Sequence, residues 1–396
     1  MPDTVLTLQT FRKIKEKQMT SLPTYPESPF VYNMNRIAGL DGTYGAERAA
    51  NVYAGTTNLA MVGALNKKAN TIGLSLVAVL NVLAGTVGLS LDAAIRAIGA
   101  GGGGGRAWSQ ATGPGIQTWT ACASNSDGTK LAIGIQGGYI YTSADSGVTW
   151  VQRTGTGTQS WFSMAMSADG THIAATPSSS SPNIWISTDS GATWTQRTSP
   201  NNIGRSVVMS ASGQYVASCA PNWAVSVSSD YGVTWTQNSG GDTWTCVAMD
   251  STGLKLVAGR TYAGNGIMTS TNGGASWTGI TTSFVPNAIT SDSTGTKIAC
   301  VVYGGTVWTS ANSGATWTQQ TGSGSRSWNS IVSDSTGVKL AASDFGGNIY
   351  LSTDSGVTWT AQTPPGLGGA YWKALASSTD GKLIAANNTD YIWLYH

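Results

Sequence analysis

From residue 106 onward, apolar and polar positions alternate in short runs with a fixed beat. A run that starts at a tryptophan leads into an S-x-D-G or S-T-G turn, as in Trp161–Gly170. A short apolar run follows, as in Lys255–Ala258. An alternating run, as in Tyr139–Thr142, enters a polar octet, and another, as in Thr149–Arg153, leaves it. Period-two alternation bounded by Gly, Ser and Asp predicts four short antiparallel strands per unit. Residues 44–99 carry a different pattern. AGTTNLAMVGALNKK (54–68), ANTIGLSLVAVLNVL (69–83) and AGTVGLSLDAAIRAI (84–98) repeat every 15 residues. Each opens on a turn whose Thr or Asn suits a helix N-cap and continues as an apolar run of helical length.

The octet sets the beat. It reads SADSGVTW at 143–150, STDSGATW at 187–194, SSDYGVTW at 228–235, STNGGASW at 270–277, SANSGATW at 310–317 and STDSGVTW at 352–359. The closing tryptophans, Trp150, Trp194, Trp235, Trp277, Trp317 and Trp359, are 44, 41, 42, 40 and 42 residues apart. Asp or Asn followed two residues later by Gly is hairpin-turn chemistry: the short polar side chain bonds nearby amides and Gly takes a positive φ. The turn positions are Asp145, Asp189, Asp230, Asn272, Asn312 and Asp354. Four antiparallel strands about every 42 residues make one propeller blade.

Six octets give six blades. Three more strands follow Trp359, and RAWSQAT (106–112) resembles the strand after each octet, with Trp108 preceding Trp150 by 42 residues. The expected fold is therefore all-β: a seven-bladed β-propeller whose last blade is closed by the strand at 106–112, since an unpaired edge would be a liability. A small helical and extended N-terminal anchor precedes it.

The repeat resembles the Asp-box, or BNR, repeat of sialidase-like and photosystem-assembly-factor-like β-propellers, over roughly residues 106–396; an assembly-factor role fits the N-terminal repeats poorly. The 15-residue units resemble segments of phage tail and virion proteins. Together they divide the chain into an extended arm (1–43, with Pro23, Pro26 and Pro29), the short repeats (44–98), a glycine linker (99–105) and the propeller (106–396). Ile72–Leu91 lacks charge over a length that would span a bilayer. Gly-Thr turns interrupt it, however, so no membrane span is expected.

Composition narrows the partners. The chain of 396 residues holds 51 Gly and 16 Trp but only 10% charged residues. Residues 106–396 are near neutral, with twelve Lys/Arg against thirteen Asp, so no basic stripe points to nucleic acid. Cys122, Cys219, Cys246 and Cys300 show no paired spacing and read as buried free thiols, Cys122 matching Cys246 and Cys219 matching Cys300 in repeat position. MPDTVLTLQTFRKIKEK has no apolar core after its charges, so no secretory signal is expected.

The sialidase resemblance implies an arginine triad, a Tyr nucleophile, a Glu and an Asp. The last Glu is Glu47, before the propeller, and no F/Y-R-I-P segment occurs. An Asp-based glycoside hydrolase would have to draw on Asp242, Asp344 and Asp390, the aspartates outside the turns. His172 and His396 are the two histidines, too few for a His-based triad or metal set. No cofactor or metal site and no enzymatic activity are expected.

The aromatic residues carry the binding expectation. Trp119, Trp161, Trp244, Trp328 and Trp372 recur at the start of first strands, with Arg205 and Asn287 in their place in the other two blades. Trp223, Tyr262, Tyr303 and Phe345 sit in loops reaching the same face, opposite the octets. Such rings suit stacking on sugar or a protein partner, while rings that recur in every blade equally suit packing between blades. The expected function is that of a non-enzymatic bacteriophage virion protein, a tail fibre or receptor-binding component. Residues 1–98 would dock on other virion structural proteins, implying a homo-oligomer, and the propeller would face a host surface glycan or protein. The alternatives are a capsid or tail decoration protein without host ligand, and the Asp-based hydrolase. Localisation would be the particle surface after synthesis in the host cytoplasm.

Overall fold

The computed structural model describes residues 107–178, 183–198, 205–221, 224–237, 243–261, 266–362, 364, 367, 369–387 and 391–396. The expected arm, short repeats and glycine linker fall outside these residues.

The described residues form a seven-bladed, all-β propeller. Blade one is Trp119–Ser124, Leu131–Ile135, Ile140–Ser143 and Val151–Arg153, each strand antiparallel to the next. Blades two to six repeat this order, with first strands Trp161–Met166, Ser206–Met209, Trp244–Met249, Ala288–Ser291 and Arg326–Ser333. Blade seven has Ala370–Ser377, Leu383–Asn387 and Ile392–Tyr395, and Trp108–Ala111 supplies its fourth strand. Ser109 faces Leu394 and Ala111 faces Ile392, so both ends of the described chain share one sheet.

A second closure lies on the octet face. The turn after each first strand donates a backbone N–H to the next blade's turn. The bonds run from Ser126 to Ala168, Ala211, Ser251, Ser293, Ser335, Thr379 and back to Ser126, at 2.8–3.1 Å. Seven donors and seven acceptors complete a circle, which fixes the blade number independently of the closing strand.

The octets fold as their chemistry dictates. Ser143 Oγ donates to Asp145 Oδ1 (2.8 Å) and accepts from Gly147 N (2.8 Å). Asp145 accepts from Thr149 N (2.8 Å) and Thr149 Oγ1 (2.6 Å), and the Trp150 indole donates to Gly147 C=O (2.9 Å). Ser146 (φ 58°) and Gly147 (φ 81°) are left-handed. Asn272 keeps the arrangement, accepting from Ser276 N and donating its amide to Ser276 Oγ, both at 2.9 Å. These bonds pull the turn carboxylates down: two from Thr358 and one from Ser352 hold Asp354 at about 2.

The core lies between blades. Trp161, for example, packs with Ala121, Ala132 and Ile140 of the blade before it. Gly134 leaves it room, because a Cβ there would stand 2.6 Å from the Trp161 Cβ. Blade seven has no turn joining its third and fourth strands, and a cavity of about 140 Å³ lies at the octet end of its seam with blade six, lined by Leu340, Leu351, Ser352, Leu383 and Tyr395 among others.

All four cysteines are free and buried, and burial pushes Cys246 up to about 11. The strand register corrects their expected equivalence. Cys122 lies three places after its blade's first-strand Trp and Cys246 two, so the two point to opposite sides of their blades. Cys122 packs against blade seven, Cys246 against blade five. Cys219 and Cys300 are offset in the same way.

Candidate functional face

The first strands begin on the face opposite the octets, where the loops between second and third strands also end. Trp119, Trp161, Trp244, Trp328 and Trp372 stand there, but each is at most 1% exposed. Each packs against the preceding blade. The Trp161 and Trp328 indoles donate to Gly138 and Gly324 carbonyls. The five rings are packing between blades and leave no face for a ligand, contrary to the binding expectation for them.

The residue after each of these tryptophans is the extra residue of a β-bulge: Thr120, Phe162, Thr245, Asn329 and Lys373. A bulge re-aims its side chain out of the strand's alternation. Thr120 Oγ1 reaches Trp161 C=O in the next blade (2.5 Å), Thr245 Oγ1 reaches Pro286 C=O (2.6 Å), and the Asn329 amide reaches Trp372 and Lys373 carbonyls (3.0 and 2.9 Å).

Arg205 and Asn287 hold the same place in their repeats, without a register shift in their strands. Counted back from the turns at Ser210 and Asp292, they occupy the place after the Trp, and Gly204 and Pro286 occupy the Trp place itself. The expected substitution of Arg205 and Asn287 for Trp is thus one residue off. Arg205 Nε donates to Thr245 C=O (2.9 Å) and Nη2 to Asn287 Oδ1 (3.2 Å), and the Asn287 amide donates to Trp328 C=O (3.1 Å). Polar side chains thereby pass from blade three to blade seven around the inner rim. Sequence reasoning missed this ring because a bulge leaves no trace in the repeat letters, although the variable residue beside each Trp was the available signal.

Two of the expected loop aromatics are exposed on this face: Tyr303 at 63% and Phe345 at 36%. Trp223 and Tyr262 lie outside the described residues, as do Asp242 and Asp390. Tyr371, unnoticed in the sequence, joins the exposed pair at 46%. Strands pair between blades on this face, and one such pairing brings Phe345 and Tyr371 together. The Tyr303–Gly305 strand pairs with the first strand of blade six, and Phe345 faces Tyr371 across the seam of blades six and seven. Their rings stand 5.0 Å apart, with Lys373 Nζ 4.9 Å from the Phe345 centroid. Arg326 lies 4.3 Å over Tyr350. Asp344 faces Trp328 in register, and partial burial raises its carboxyl against the opposing pull of Arg326 and an amide bond from Ser327. Asp344 is the carboxylate of this face among the described residues.

No family model and no curated protein matches the chain. Solved structures do match in fold. YCF48 from Cyanidioschyzon merolae aligns at a TM-score of 0.57 and 17% identity, over 73% of this chain and 98% of that one. A GH74 xyloglucanase from Xanthomonas campestris aligns at 0.58 and 14%, over 73% of this chain and 53% of the enzyme. YCF48 bound to a D1 peptide aligns at 0.58 and 16%, over 74% and 97%. The chain thus spans nearly the whole of YCF48 and about half of the xyloglucanase, and shares a propeller fold with both.

Proposed function

We propose that the propeller is a non-enzymatic binding module whose ligand, a surface glycan, sits on the face opposite the octets. The patch of Phe345, Tyr371 and Lys373, with Tyr303 exposed on the same face, carries this reading. Large rings held open to solvent beside polar and charged groups match what stacks on sugar faces. Sequence resemblance supports the wider setting: residues 1–98 dock on other structural proteins of a bacteriophage particle, and many copies turn weak contacts into firm attachment. Among the solved relatives, one is described as bound to a peptide and another as a xyloglucanase, so both ligand binding and glycan recognition have precedent on this fold. Adsorption of the multimeric chain to a glycan array and to bacterial cells tests the proposal. No adsorption to any surface would overturn it in favour of a decoration role.

One observation favours a second reading, an Asp-based glycoside hydrolase: the raised carboxyl of Asp344 beside exposed rings suits a general acid. Turnover of xyloglucan or another polysaccharide, lost in Asp344→Asn, would support it. No turnover across a polysaccharide panel would remove it.

A further inference from the structure

Blade seven takes its third and fourth strands from opposite ends of the propeller, Ile392–Tyr395 and Trp108–Ala111, so it carries no octet. In the other blades the octet glycine is wedged between two side chains. One is the penultimate residue of the preceding blade's third strand. A Cβ on Gly147, Gly191, Gly232, Gly314 or Gly356 would stand 2.5–3.0 Å from Leu394, Thr142, Ile186, Thr269 or Thr309 respectively. The other opens the glycine's own second strand: the same Cβ would stand 3.3–3.6 Å from Leu131 at Gly147, Ile173 at Gly191, Ile298 at Gly314 and Leu340 at Gly356.

In blade seven these two places belong to Leu351, penultimate in blade six's third strand, and Leu383, first in blade seven's second strand. Tyr395 pairs with Leu383 as Ser143 pairs with Leu131. Leu351 and Leu383 both line the cavity of about 140 Å³ at the octet end of this seam. The cavity is therefore the seat that a glycine turn fills in the other seams.

The walls decide what the seat can hold. Leu340, Ala341, Leu351, Leu383 and Tyr395 supply apolar surface. The polar groups at its edge bond within the protein. Ser352 Oγ donates to Asp354 Oδ1 (2.8 Å) and accepts from Gly356 N (2.9 Å). Ser377 Oγ donates to Ser378 C=O and Lys339 Nζ to Asp380 C=O, both at 3.0 Å. A buried water seeks about two to four polar partners, whereas an apolar cavity of about 150 Å³ takes up benzene.

We propose that the octet end of the seam between blades six and seven binds a small apolar molecule of single-ring size. The site is independent of the loop face. Trp108 packs into the same seam, its ring 5.0 Å from that of Tyr395, so a bound molecule braces the blade that closes the propeller.

The test reads thermal unfolding midpoints of the full chain by tryptophan fluorescence. Benzene should raise the midpoint in a saturable way, as a ligand of the folded state does. Pyridazine, a polar ring of the same size, should not. Leu351→Phe, which puts a ring into the seat, should keep or raise the midpoint and abolish the benzene effect. The matching Ile186→Phe, in a seam where Gly232 occupies the seat, should lower the midpoint by roughly 2–12 °C through overpacking. A loss in Leu351→Phe equal to that in Ile186→Phe would mean that the protein itself fills the seat, and would overturn the proposal. So would no benzene shift in the unaltered chain, or a benzene shift that persists in Leu351→Phe. Equal shifts with benzene and pyridazine would overturn the ligand class.

Discussion

The closing strand offers a sharp mechanical test, because its register separates two adjacent positions. Ala107 N donates to His396 C=O (3.1 Å) and His396 N to Ala107 C=O (3.2 Å). Antiparallel pairs alternate between bonded and non-bonded, so Ser109 and Ala111 are bonded positions, while the N–H groups of Trp108 and Gln110 point away from the partner strand. Ala111→Pro removes the bond to Ile392, a fully buried residue whose carbonyl would be orphaned. An orphaned buried carbonyl costs about 1–3 kcal/mol, and the ring adds strain beside the fully buried Ala111 site, so about 3 kcal/mol is expected. For a domain of this size that lowers Tm by roughly 6–12 °C. Gln110→Pro keeps every bond to Ile392–Tyr395 and should cost under about 1 kcal/mol, since an edge strand accepts proline where its N–H faces out. Thermal and urea unfolding followed by tryptophan fluorescence would read both. Equal losses in the two variants, or a larger loss for Gln110→Pro, would refute the closure register.

Trp372→Ala should cost about 3–5 kcal/mol by emptying a seam, whereas Tyr371→Ala next door should cost under about 1 kcal/mol; comparable losses in urea unfolding would contradict the separation of packing and exposed rings. Gly147→Ala should destabilise by about 2–3 kcal/mol, because the site has φ 81° and its new Cβ would stand 2.5 Å from Leu394 Cδ1. The depressed turn carboxylates predict acid sensitivity. Their folded pKa lies below the unfolded value, so their stabilisation is complete above about pH 4 and is lost as pH falls toward 2, the folded value of Asp354. Unfolding midpoints measured through that window should fall with pH, and Asp354→Asn should make the fall shallower while keeping the turn, as Asn272 and Asn312 do; an identical pH profile would count against it.

Much of this architecture was legible in the letters because its causes are local. A Ser-x-Asp-x-Gly turn satisfies itself within eight residues, so six copies at one spacing already implied six hairpins. The likeness of Trp108 to the octet tryptophans implied the seventh blade, since a strand left unpaired at a ring's edge would find a partner. The deciding features of the candidate face were not local. Whether Trp372 shows its ring or buries it depends on Ala341 and Ile349 of the neighbouring blade, and no repeat letter records that contact. The bulges that turn Asn329 and Lys373 out of their strands' alternation arise where two strands differ by one residue, visible only once they are paired. Phe345 and Tyr371 became one surface through pairing between blades six and seven. Sequence alone determined the repeat and its turns, because each follows from bonds within a few residues, and the number of blades, because the likeness of the Trp108 strand to those after the octets names the strand that closes the ring. Tertiary structure decided which aromatic rings meet solvent and which charges share a face, because those depend on what the adjoining blade places opposite them.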